Sequence, residues 1–267
     1  MKTPPGFAKI QNLFSGFVIP IAFVIALFVY FVLMGANSNF QGNDSDNLPL
    51  QGNFLGLIYK GGYIVPILMT LLLTALTFSI ERYYTIRKAY GNLAPVKFVA
   101  RLKEFLTAND IEGAKAECDR VQGSVASVAK STLDKYEQME KDTLMTREQK
   151  ILDIQKNVEE AISLELPGLE ENLPVLATIT SLATLMGLLG TVLGMIRSFA
   201  AMANAGAPDS VALASGISEA LVNTAFGIAS AAVAMVSYSY FTTKIDKLTY
   251  AIDEAGYSIA QTFAAKH

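Results

Sequence analysis

Four stretches of the chain run for about 20 residues or more with almost no charge, and that feature limits the fold more than any other. A helix needs about 20 mostly apolar residues to cross a hydrocarbon core of roughly 30 Å, where no water is available to an unpaired backbone group. The runs cover 13–36, interrupted by Pro20; 61–80, ended by Glu81 and Arg82; 172–203, whose one charge is Arg197; and 211–242, whose one charge is Glu219. At about 1.5 Å per residue the last two exceed the bilayer thickness, so they are expected to tilt or protrude. With 52% of its residues hydrophobic and 17% charged, the whole chain is too apolar for an ordinary soluble domain. The expectation is an all-α membrane protein of four transmembrane helices with a helical cytoplasmic domain.

Lysine and arginine are enriched in short cytoplasmic loops, which orients the spans. Lys2 and Lys9 precede the first, Arg82, Arg87 and Lys88 follow the second, and Lys244 and Lys247 follow the fourth. These ends are expected inside, with both termini cytoplasmic and loops 37–60 and 204–210 outside. The remaining segments are then a short N-terminal stretch, 1–12, a cytoplasmic domain, 81–171, and a C-terminal helix, 243–267. Lys2 and Lys9 also resemble a signal-peptide n-region, with small residues at Met34-Gly35-Ala36. The apolar run is longer than the roughly 7–15 residues of such a signal, so a retained anchor is expected.

The cytoplasmic domain should be helical. Val96, Leu102, Phe105 and Leu106 recur at helix spacing, Asp110 stands as an N-cap before Ile111, and Ser124 to Met139 forms another helical stretch. Thr146 and Gln149 have the spacing of a capping box opening a last helix to Leu166. Pro167 and Pro174 mark the entry to the third span. The single cysteine, Cys118, falls on an apolar helix face and reads as a small buried hydrophobe. With one cysteine and one histidine, His267, no Cys/His metal cluster or histidine triad can form. A net charge of -3 and the lack of a basic run leave nucleic-acid binding unsupported, and no cofactor is expected.

An ionisable side chain inside a span usually marks an ion pathway or a buried pair. Glu219 lies about eight residues into the fourth span, roughly 12 Å from its outer end. Arg197, a few residues from the outer end of the third span, reads as an interfacial anchor that snorkels to the headgroups. Gly187, Gly190, Gly194 and Gly227 read as helix-packing residues. The short external turn centred near Gly206 or Ala207 puts Thr191 and Thr224 at one level. At about 100° per residue, Glu219 and Asn223 share a stripe, whereas Thr224 sits roughly 140° from Glu219. Thr224 can therefore face a lumen while Glu219 turns towards a neighbouring helix or the pore edge.

At these residues the chain resembles the ExbB/TolQ/MotA proton-channel family, its ExbB branch most closely. The resemblance rests on Leu173-Pro174-Val175-Leu176-Ala177-Thr178, Gly187-Leu188-Leu189-Gly190-Thr191-Val192-Leu193-Gly194, Gly216-Ile217-Ser218-Glu219-Ala220-Leu221 and Thr224-Ala225-x-Gly227. It extends weakly to Asp110-Ile111-Glu112-Gly113-Ala114. It implies a homopentamer whose third and fourth spans line a central pore, occupied by the single transmembrane helices of an ExbD-like partner that supplies a proton-carrying aspartate. Thr191, Glu219, Thr224 and Asn223 would then shape an ion pathway in a bacterial inner membrane, with a TonB-like protein carrying the energy to outer-membrane transport. Three features depart from the family: the first span is additional, Val233 stands where a proline is usual, and Asn223 adds an amide where many relatives are apolar. A TolQ-like role in envelope maintenance or a MotA-like stator lies within the same family. From other classes, a secondary transporter would need an internal repeat that is not evident, and a structural scaffold would tolerate apolar residues at Glu219 and the threonines.

Overall fold

The computed structural model describes residues 5–45, 47–204 and 210–266. Most of the external loop expected at 204–210, residues 1–4 with Lys2, and His267 lie outside the described residues. The helices are α1 (Pro5–Phe28), continued by a π-helical turn at Val29–Met34, α2 (Phe54–Tyr59), α3 (Ile64–Tyr90), α4 (Pro95–Thr107), α5 (Ile111–Val121), α6 (Gly123–Lys141), α7 (Arg147–Glu170), α8 (Leu173–Asn204) and α9 (Ser210–Lys266). No strand occurs among the described residues, and four helical stretches are long and apolar enough to cross a membrane. The chain is an all-α membrane protein. It divides into two units, Met1–Ile80 with Pro174–Tyr238 and Glu81–Leu173 with Ser239–His267.

The first unit holds the apolar spans. Along α1 and its π-turn, Val18, Ala22, Ala26, Tyr30 and Met34 are buried at four-residue spacing while Phe17, Val24, Phe28 and Phe31 stay exposed, as in a helix with one protein-facing and one lipid-facing side. Ala26, Tyr30 and Met34 pack on Val65 and Met69 of α3, with Tyr59 and Phe226 at the margin. Asn37–Asn39 and Gln41–Asn43 form two short 3-10 turns, and the Asn39 amide donates to Leu33 O at 2.8 Å and Met34 O at 2.9 Å. Those carbonyls end the first span and have no intrahelical donor, so the side chain closes it.

The second unit is a bundle of α4–α7 with the C-terminal part of α9. Its core contains Phe98, Leu102, Cys118, Leu133, Tyr136, Ile154, Ile259 and Phe263. Asp110 caps α5 by accepting from Gly113 N at 2.8 Å, and Thr146 and Gln149 form the reciprocal capping box of α7. Pro167 is carried inside α7, and the break before α8 falls at Asn172, whose φ of 64° is the left-handed conformation that asparagine tolerates. Two helices run further than hydropathy alone indicates. α3 continues past Glu81 to Tyr90, since no breaker intervenes before Gly91, and α9 is unbroken through 243–266 because that stretch contains no proline. A change of solvent does not end a helix; loss of backbone geometry does.

Cys118 is buried, and burial together with the Asp119 charge pushes its thiol up to about 12. A maleimide should leave it unlabelled in the folded protein and label it stoichiometrically in denaturant. Rapid labelling of native protein would show that α5 opens.

Candidate ion pathway

α8 and α9 pack as an antiparallel pair because both present a stripe of small residues. On α8 the buried positions include Ala183, Gly187, Gly190, Gly194 and Ser198, and on α9 they include Gly216, Ala220, Asn223 and Gly227. The backbones come too close for larger residues. A Cβ at Gly187 would stand 3.1 Å from the Gly227 Cα, one at Gly190 2.5 Å from the Asn223 Cβ, one at Gly194 2.9 Å from the Ala220 Cβ, and one at Gly227 2.7 Å from the Ala183 carbonyl oxygen. Without a hydrophobic driving force between helices in lipid, such close approach is how they associate.

This register brings the two threonines together. The Thr191 and Thr224 hydroxyls hydrogen bond to each other. Thr191 Oγ1 also lies 3.2 Å from Gly187 O, and Thr224 Oγ1 lies 3.4 Å from Gly187 O and 3.3 Å from Ala220 O. A hydroxyl has one proton to give and two lone pairs to accept with. Either threonine can therefore donate to the other while its partner turns to a carbonyl, and the direction of the bond can reverse without moving a heavy atom. Both side chains are half-buried.

Glu219 faces elsewhere. Its Oε1 accepts from Arg197 Nη1 at 2.5 Å, with side-chain exposures of 16% for the glutamate and 52% for the arginine. The carboxylate rests on the Gly61–Gly62 turn before α3. Gly62 has φ +73°, and a Cβ there would lie 2.7 Å from Glu219 Oε1, so only glycine fits both the backbone and the space. One turn further along α9, Asn223 is 1% exposed and donates through Nδ2 to Gly61 O at 2.8 Å, while its Oδ1 has no hydrogen-bond partner. Tyr30 holds the same turn from the first span, its hydroxyl donating to Tyr59 O at 2.9 Å and its ring stacked on Tyr59 at 4.7 Å.

Of the residues singled out from sequence, the structure thus makes two groups. Thr191 and Thr224 form the hydroxyl pair within the glycine-lined seam; Glu219, Asn223 and Arg197 gather on the Gly61–Gly62 turn. Arg197, expected as an anchor, has a carboxylate partner within the chain. That pairing was missed although its signal was available: Arg197 and Glu219 lie at similar distances on either side of the turn apex, only slightly less evenly than Thr191 and Thr224. Gly61, Gly62 and Tyr30 also went unnoticed, because nothing local connects them to the last two spans. Among the described residues no cluster of three His, Cys, Asp or Glu side chains is placed to hold a metal ion.

The profile of the MotA/TolQ/ExbB proton channel family matches residues 124–254, which include the hydroxyl pair, the ion pair and the close glycines. The chain belongs to the MotA/TolQ/ExbB family. It is 40% identical over 88 residues to the Tol-Pal system protein TolQ of Pseudomonas aeruginosa, covering 33% of this chain and 38% of that protein. It is 28% identical over 204 residues to the Tol-Pal system protein TolQ of Haemophilus influenzae, covering 73% of this chain and 87% of that one. The biopolymer transport protein ExbB of Pseudomonas putida is 30% identical over 159 residues, or 60% of this chain and 45% of the relative. The matches to the two Pseudomonas proteins thus span less than half of each. Relatives with both names occur within this MotA/TolQ/ExbB family, and identities of 28–40% do not separate them.

Proposed function

We propose that the chain is the channel subunit of a bacterial inner-membrane motor that passes protons down their gradient to power work at the outer membrane. The hydroxyl pair Thr191–Thr224, held at membrane depth in a glycine-tight seam, carries this reading. It offers a reversible hydrogen-bond relay to water or to a partner's carboxyl group where an unassisted charge could not rest. In this reading five copies surround the pore with α8 and α9 as its wall, and an ExbD-like partner places its single transmembrane helix inside. Glu219 supplies a fixed field at the outer mouth, Asn223 holds the adjoining turn, and Gly187, Gly190, Gly194 and Gly227 keep the wall closed. Both termini lie in the cytoplasm, consistent with the lysine and arginine distribution. A TonB-like protein would carry the output to outer-membrane transport. The alternative output is TolQ-like envelope maintenance, since relatives bearing the TolQ name match this chain as well as those bearing the ExbB name.

The test is proton flux through the chain co-purified with its membrane partner and reconstituted in liposomes. Thr191→Val with Thr224→Val keeps volume and removes both hydroxyls. Losing a hydrogen bond worth about 1–1.5 kcal/mol at the limiting point slows passage roughly tenfold, so flux should fall at least that far while native mass spectrometry still shows the assembled oligomer. Wild-type flux from the doubly substituted assembly would reduce the threonines to packing elements.

A further inference from the structure

Glu219 is tied to more of the chain than a lone acid at a pore mouth requires. Arg197 of α8 holds its Oε1 at 2.5 Å. Beneath the carboxylate lies Gly62, held at positive φ. Gly61, the neighbouring residue, is bound by Asn223 at 2.8 Å, and the turn is gripped through Tyr59 by the Tyr30 hydroxyl at 2.9 Å. α8, α9, the turn before α3 and the first span thus converge on one ion pair. Among the described residues, Tyr30, Tyr59 and Tyr63 are further titratable side chains grouped there, and Lys60 is engaged by Ser45 O at 2.9 Å.

We propose that Arg197 is the positioning residue of Glu219: it holds the carboxylate seated on the Gly61–Gly62 turn, so that Glu219 acts as a fixed charge and the proton travels by the threonine hydroxyls. The inference rests on the proton-channel reading and deepens it. Neutralising Glu219 would leave Arg197 without the counter-charge that now lies 2.5 Å from its guanidinium. The placement on α9 agrees, since Glu219 and Thr224 lie roughly 140° apart on the helix and do not share a file. Asn223 satisfies the Gly61 carbonyl, leaving the carboxylate committed to the guanidinium.

The experiment uses the full chain with its co-purified partner in liposomes, reading proton flux together with infrared difference spectra of isotope-labelled glutamate in neutral and acidified samples. Arg197→Gln should lower flux several-fold and create a protonated-carboxyl band that is lost when Glu219→Gln is added. Wild type should show no Glu219-dependent band of this kind. The charge-exchanged chain, Arg197→Glu with Glu219→Arg, should recover much of the flux lost in Arg197→Gln, a rescue that simple filling of space would not produce. A Glu219-dependent protonated-carboxyl band in conducting wild type would overturn the proposal, as would undiminished flux in Arg197→Gln or a charge exchange no better than the single variant. Conducting wild type with any of these results removes only this inference; a silent wild type removes the channel reading and the inference with it.

Discussion

Gly190→Leu is expected to abolish proton flux and to break up the assembled complex. A Cβ at this position already falls 2.5 Å from the Asn223 Cβ, and the rest of a leucine has no direction in which to relax because the α9 backbone lies behind that side chain. Overpacking of this kind costs about 1–3 kcal/mol in a soluble core. Here it also severs what the seam aligns: the Thr191–Thr224 hydroxyl pair, the Asn223 bond to Gly61 and the Arg197–Glu219 ion pair depend on the same register. Gly168→Ala is the control, since nothing lies within 4 Å of its Cβ. Native mass spectrometry from mild detergent and liposome flux read the outcome; an intact, conducting Gly190→Leu complex would contradict the packing described.

Arg82→Met should destabilise the second unit by about 3–5 kcal/mol, the cost of removing one member of a buried charge pair. Arg82 is wholly buried. It donates to both Glu81 carboxylate oxygens, at 2.5 and 2.7 Å, and to Gly168 O and Leu169 O at 3.2 Å each. The last two carbonyls belong to the final turn of α7, which has no further helical donors, so one side chain ends that helix and neutralises its negative pole. Burial raises the Glu81 carboxyl, but the Arg82, Thr85 and Asn172 donors outweigh it and hold the group below the ordinary carboxylate range. Because its folded pKa is the lower one, Glu81 contributes stability at neutral pH that is lost as pH falls through the folded value. Denaturant unfolding should place Arg82→Met well below wild type at neutral pH, with a smaller gap in acid. Adding Glu81→Leu should recover part of the loss. Equal stability of Arg82→Met and wild type at neutral pH would refute this account.

Much of the architecture was legible because it follows from properties that act locally or can be counted. Apolar length alone marks the four spans, as backbone groups in lipid must be satisfied within their own helix. Asp110 and the Thr146–Gln149 pair announce helix starts through side chains that reach only three residues onward. The shared level of Thr191 and Thr224 follows from counting nearly equal distances on either side of a hairpin turn, though the bond between their hydroxyls does not. Where α3 and α9 stop was less legible, because hydropathy reports the surrounding solvent while a helix ends only where a residue breaks its geometry.

An all-helical chain with four apolar spans, a glycine-rich last pair and an acid within the fourth span can be read from the residues alone, since those properties belong to single helices or to one hairpin. Which groups the acid meets depends on packing between distant segments. Glu219 meets Arg197 and Gly62, Asn223 meets Gly61 across 162 residues of chain, and Tyr30 secures the same turn through Tyr59, 29 residues along the chain from it. Arg82 likewise finds the end of α7 across 86 residues. Helical periodicity says which side chains share a face but not which third element packs against it, and the cost of an unpaired charge or carbonyl makes that third element decisive.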